Sequence, residues 1–270
     1  MDQKIIKVAR IVHNNPQFEI LTRFGYISNG ILHGLIGLAV ILLAFGVAGE
    51  VDQSGVLSPL TNSIYGVILL LLICIGLIAL GVSHIVRVIL MRKHPNADRK
   101  WPRQLSEAAK GIAYLAIGLS SLAFIFAKAS TPSSVKASED FTARLLTLPA
   151  GEAILFILGM GIILLGFHFI YRGAMRKFAE ALDIKKIKLK NSVIFMGIIG
   201  YVAKGLTFIS LGSVVFDAAV TLNPLKASGL DGAFKNVIGL PFGVEILFLL
   251  GLGFIVYAAY CVVRGIYAKL

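Results

Sequence analysis

Charge is scarce in this sequence, and the scarcity decides its class. Only 15% of the 270 residues are Asp, Glu, Lys or Arg, against about 25% in an ordinary soluble domain. Cysteine is scarcer still. Cys74 and Cys261 are the only two, and both stand inside apolar runs. That argues against a disulfide framework or a thiolate zinc site and leaves small, polarisable packing residues. HExxH, GxSxG, GKS and GKT are all missing, as is any paired-carboxylate constellation, which removes the usual signatures of zinc hydrolases, serine hydrolases and P-loop enzymes. The chain is therefore expected not to be an enzyme. Its start, MDQKIIKVARIVHNNPQF, has neither an apolar core nor a small-residue cleavage site, so insertion is expected to use the first spanning helix.

What the sequence does have is apolar length. Hydrophobic residues make up 57% of it, and the mean hydropathy is +0.85. Six stretches, near 24–47, 64–90, 108–127, 150–172, 193–216 and 242–265, are each long enough to cross a hydrocarbon core of about 30 Å. Of the 26 Lys and Arg, 20 fall in the N-terminus, the loops 87–110 and 172–190, and the C-terminus. The opposite loops hold five: Lys128, Lys136, Arg144, Lys226 and Lys235. That asymmetry predicts both termini in the cytoplasm. It also explains the net charge of +12 through anionic lipid headgroups on that side, so no nucleic-acid partner is needed.

Overlaying the odd spans exposes a repeat. Gly30, Gly111 and Gly205 align, followed seven residues later by Gly37, Gly118 and Gly212. Between them stand His33, Tyr114 and Phe208. In the even spans, counting from Gly66, Gly151 and Gly243, the matches are Gly76, Gly161 and Gly253, then Gly81, Gly166 and Ala258, then Arg87, Arg172 and Arg264. The unit is a two-helix hairpin of about 70 residues, used three times. All copies enter from one side, so they are parallel repeats, expected around a pseudo-threefold axis along the membrane normal. The expected fold is an all-α integral membrane bundle of six helices. A basic amphipathic segment (1–23) precedes repeat 1 (24–90), a loop (91–107), repeat 2 (108–172), a second basic amphipathic loop (173–192) and repeat 3 (193–270).

The third copy reads GYVAKGLTFISLGS, then GLDGAFKNVIGLPFG, then GLGFIVYAAYCVVRGIYAKL. It resembles the bacterial membrane family catalogued as domain of unknown function 1206, whose unit typically recurs three times to give six helices. The resemblance is strongest over 200–270, weaker over 25–90 and weakest over 108–172, where LPAG replaces LPFG; the first copy lacks GLDGA. It implies the topology and a bacterial inner-membrane location, and it carries no activity.

The residue before the first repeat glycine is Asn29, Lys110 or Lys204. Lys204 lies in the apolar run GYVAKGLTFISLG. The repeat predicts a shallow depth for it, with its stem along apolar side chains and its ammonium at the headgroups, or paired with Glu107 or a helix C-terminal carbonyl. A substrate or ion contact is the other reading. The repeat arginines Arg87, Arg172 and Arg264, with Trp101, are expected as interface anchors.

His33, His84 and His168 are the candidates for chemistry inside the spans. No cofactor is expected. A haem between His84 and His168 would need imidazoles at matching depth on one axis, and these two differ by one place in the repeat. Packed histidines and a proton relay remain as readings. Glu152 and Glu245 open the fourth and sixth spans. Either they complement the helix dipole, or they form an acidic ring at the outer mouth of a cation path. The glycine faces are expected to permit close helix packing. Segments 3–13 and 178–191 read as interfacial amphipathic helices.

The expected function is that of a non-catalytic scaffold or accessory subunit that packs against a membrane protein or binds lipid. The alternative is a channel or carrier for a small ion or apolar molecule along the threefold axis.

Overall fold

The computed structural model describes residues 2–91, 101–127 and 134–269. Among them are ten α-helices and no strand. They are α1 (Asp2–His13), α2 (Pro16–Ala44), α3 (Gln53–Leu57), α4 (Ile64–Met91), α5 (Trp101–Ala127), α6 (Ser134–Leu146), α7 (Gly151–Ala174), α8 (Lys190–Thr221), α9 (Gly229–Ile238) and α10 (Gly243–Tyr267). Six of these, α2, α4, α5, α7, α8 and α10, are long and apolar enough to cross a membrane. The residues of 94–105 that precede Trp101, and Lys128, lie outside the described residues.

Helix boundaries follow local chemistry. α1 stops at His13 because Asn15 and Pro16 start a new helix. The Asn15 side chain accepts a hydrogen bond from Gln17 N at 2.9 Å, and proline occupies the first turn, where its missing N–H costs nothing. α2 therefore starts eight residues before the expected span. α8 is the longest helix, at 32 residues, or about 48 Å by helical rise.

The closest packing joins successive repeats. A Cβ added at Gly30, Gly111 or Gly205 would run into the backbone of Ala258, Gly81 or Gly166 respectively. One added at Gly37, Gly118 or Gly212 would meet Gly251, Cys74 or Gly159. These six partners occupy two equivalent repeat positions. Each odd helix thus lays its glycine ridge on the even helix of the preceding copy: α5 on α4, α8 on α7, and α2 on α10, in cyclic order. Hydrogen-only positions let the backbones approach, so dispersion acts where lipid would otherwise compete equally well.

Within a copy the pairs differ. α2 packs on α4 and α8 on α10, but α5 and α7 make no comparable contact. The helices therefore run in the spatial order α5–α4–α2–α10–α8–α7, with a seam between the two ends.

The end where α2, α5 and α8 begin, here called the basic end, is tied by backbone acceptors. Arg23 donates through Nη1 to Gly265 O at 3.2 Å and Ile266 O at 2.5 Å, capping the last turn of α10. The expected interfacial helix at 178–191 is not formed. Two short 3-10 turns occupy Lys177–Ala181 and Ile184–Lys186. Phe178 and Leu182 are fully buried there, in a cluster with Tyr201, Tyr257 and Tyr260. Ring burial against the bundle outweighs the charge periodicity of that segment. Asp183 N donates to Tyr267 O at 2.9 Å, and Lys269 N to Ala181 O at 3.0 Å. At the opposite end the buried Asp231 of α9 accepts from Val51 N at 2.9 Å and pairs with Lys235 at 2.7 Å, linking the loops of copies 3 and 1.

Candidate functional site: a basic and aromatic layer

Three repeat-equivalent residues on the odd helices face three on the even helices. Asn29, Lys110 and Lys204 meet Cys261, His84 and Phe169, each of which stands three residues before a repeat arginine. Asn29 Nδ2 donates to Cys261 Sγ at 3.4 Å. Lys110 and His84 share one carboxylate: Lys110 Nζ is 2.6 Å from Glu107 Oε1, and His84 Nδ1 is 2.7 Å from Glu107 Oε2. Lys204 Nζ lies 5.4 Å from the Phe169 ring centre and 5.1 Å from that of Tyr257.

Among the described residues, Lys204 has one hydrogen-bond partner, His33 Nε2 at 3.3 Å. His33 Nδ1 lies 2.8 Å from the Asn29 carbonyl. One neutral tautomer satisfies both contacts, with Nδ1–H donating to the carbonyl and Nε2 accepting from the ammonium. The ring also packs on Phe254 and Tyr257. This corrects the expectation for Lys204. It does not run out along apolar side chains, and Glu107 is taken by other residues. Its charge turns inward, where two aromatic faces and an imidazole compensate it in part.

The repeat arginines turn inward as well. Arg264 stacks 4.4 Å from the Tyr26 ring centre and donates through Nη2 to the Tyr26 hydroxyl at 3.3 Å. Arg172 lies 5.7 Å from the centre of Tyr201. Both thus lie against rings of the following copy. Tyr26 and Tyr201 are repeat-equivalent, three residues before Asn29 and Lys204, and the same position in copy 2 is Glu107. Arg87 is half-buried and close enough to His84 to act on it electrostatically. Trp101 is 70% exposed at the start of α5.

The charge in this layer does not balance. Arg87, Lys110, Arg172, Lys204 and Arg264 contribute five cations, and Glu107 is the one carboxylate that any of them touches among the described residues. Among the described residues, the Nε of Arg264 and the hydroxyl of Tyr260 are buried without a hydrogen-bond partner. Arg172 and Arg264 both lie within electrostatic range of Lys110.

The remaining candidates fall elsewhere. Glu152 and Glu245 stand in the first turns of α7 and α10. Both are exposed, and neither bonds to another described side chain. His168 is exposed on α7 beside Phe169. The buried His84 is on α4, a helix that does not pack on α7, so the two imidazoles are not brought together. No group of three or more His, Cys, Asp or Glu able to hold a metal ion occurs among the described residues.

The seam adds one more feature. In copies 1 and 3 the small pairs Ser28–Gly76 and Ala203–Gly253 are in contact. Their copy 2 equivalents are Ala109 and Gly161. Ala109 is exposed, and a Cβ at Gly161 would find no atom of the described residues within 4 Å.

Sequence reasoning missed Tyr26, Tyr201 and Tyr257 as site residues. The repeat offset that picks out Asn29, Lys110 and Lys204, moved three places back, would have found the first two.

Comparison with known proteins supports the repeat reading. The family described as Domain of Unknown Function (DUF1206) matches three tandem segments, residues 24–90, 106–176 and 199–268. The chain is also similar to "Uncharacterized protein YxxB" of Bacillus subtilis (strain 168), with 28% identity over 255 residues, covering 93% of this chain and 92% of that protein. No solved structure matches. The chain belongs to the DUF1206 family.

Proposed function

We propose that this member of the DUF1206 family is a non-catalytic membrane protein that binds the anionic headgroup of a lipid at its basic and aromatic layer. One observation carries the reading: five cations in one layer, of which only Lys110 touches a carboxylate among the described residues, inside helices apolar enough to span a membrane. Charge held in a low-dielectric setting is costly unless it is paired. A phosphate or phosphodiester supplies the missing negative charge, and Arg and Lys suit it through forked and point contacts respectively. Contact with Tyr26 and Tyr201 holds the two guanidinium groups in place, and each carries five N–H donors. A cation path draws less support, because the layer is positive and Glu152 and Glu245 lie outside it.

A location in the bacterial cytoplasmic membrane, with both termini inside and the repeats around an axis along the membrane normal, belongs to the same proposal. The Lys/Arg asymmetry and the cyclic order of helix contacts support it.

The test is mass spectrometry of the protein extracted in mild detergent and exchanged into bilayers of mixed phosphatidylglycerol and phosphatidylcholine. Phosphatidylglycerol is expected to stay bound in stoichiometric amount, and Arg172→Gln with Arg264→Gln to release it. Equal retention of the two lipids would overturn the proposal. A stoichiometric protein in place of lipid would make the chain an accessory subunit instead.

A further inference from the structure

Of the three pairs of spanning helices that belong to one copy, α5 and α7 are the pair that does not pack. The Ser28–Gly76 and Ala203–Gly253 contacts close the α2–α4 and α8–α10 pairs, and the second copy keeps both small residues without their contact. α5 and α7 are the least buried of the six spanning helices. Each holds to the bundle through its other neighbour, α5 on α4 and α7 on α8.

The seam is not merely apolar. Lys110 on α5 and Arg172 on α7 are both half-buried, and Arg172 lies within electrostatic range of Lys110. The exposed His168 lies within electrostatic range of both. Glu107 already serves Lys110 and His84, so Arg172 has no carboxylate among the described residues. An apolar helix filling the seam would bring no negative charge to these groups. A molecule with one anionic end and a thin hydrocarbon body satisfies both parts: the charge meets the cations, and the methylene chain lies against small side chains.

Resting on the headgroup reading above, we propose that an anionic phospholipid of the surrounding bilayer occupies the seam between α5 and α7. Its phosphate lies between Lys110 and Arg172, and an acyl chain runs across Ala109 and Gly161. Gly161 is about 16 Å along the helix axis from Arg172, so the chain extends from the basic layer toward the opposite leaflet. The open seam is the binding site, and the packed seams of copies 1 and 3 are its closed counterparts.

The experiment uses the full chain in bilayer discs doped with phosphatidylglycerol carrying a photoreactive group in its acyl chain. Phosphatidylcholine with the same group serves as the control, and labelled residues are mapped by mass spectrometry. The anionic probe is expected to label α5 and α7 around Ala109 and Gly161 well above the other helices, while the control labels the whole perimeter evenly. Gly161→Trp, which fills space that no neighbour occupies, is expected to lower seam labelling severalfold without changing the protein's elution as a single species. Gly161→Leu gives a milder version should the larger ring disturb insertion. Anionic labelling that is even, or that is centred on another pair of helices, overturns the seam. So does a Gly161→Trp protein that labels like the parent. If phosphatidylglycerol is still retained in stoichiometric amount under those outcomes, the headgroup reading stands and only the seam falls. If retention is also unselective, both fall.

Discussion

Gly161 and Gly253 share a repeat position, and the open seam forecasts opposite results for them. In a helix interior, Gly→Ala gains about 1 kcal/mol from propensity alone. At Gly161 a new Cβ meets nothing within 4 Å, so Gly161→Ala is expected to keep that whole gain. At Gly253 the same Cβ would land 2.5 Å from Ala203 Cβ, well inside contact distance. The two helices must then part, and overpacking of this kind costs about 1–3 kcal/mol. After the propensity gain, Gly253→Ala is expected to be destabilising by up to about 2 kcal/mol. The two variants should therefore differ by about 1–3 kcal/mol, with Gly161→Ala the more stable. Reversible unfolding in mixed micelles with rising dodecyl sulfate reads this difference directly. If Gly161→Ala is destabilised as much as Gly253→Ala, α7 packs on α5 and the open seam is refuted.

Two further expectations test other contacts. Asp231→Ala removes the acceptor for Val51 N from a buried position, and in the same titration it should cost about 1–3 kcal/mol. Lys235→Ala breaks only the half-exposed ion pair, and its cost should stay within about 1 kcal/mol. Glu107→Gln takes away the one negative charge of the basic layer and should raise phosphatidylglycerol retention, measured by mass spectrometry. Retention that falls would show that the carboxylate orders the cations more than it competes with the lipid.

The architecture was legible because apolar length and a three-copy glycine pattern are one-dimensional signals. Gly30, Gly111 and Gly205 line up without any coordinates, and the helices they mark are the ones observed. Which surface each ridge covers was not legible. A repeat invites the assumption that a hairpin packs on itself, yet the ridge of α2 meets α10, more than 200 residues away in sequence. Lys204 shows a second limit. Depth alone suggested a side chain reaching for headgroups, but its surroundings depend on His33, Phe169 and Tyr257, which three different helices supply. The segment 178–191 shows a third. Its Lys-rich periodicity suited a surface helix, while Phe178 and Leu182 were worth more to the protein inside the bundle.

The cyclic order of the helix contacts bears on how the chain is made. Spans leave the ribosome in sequence, so α4 waits only for α5, and α7 only for α8. The ridge of α2, with Gly30 and Gly37, has no true mate until α10 arrives last. Until α10 is made that grooved face stands open to lipid, and the union of α2 with α10 closes it. An interruption anywhere before α10 therefore leaves the same face uncovered.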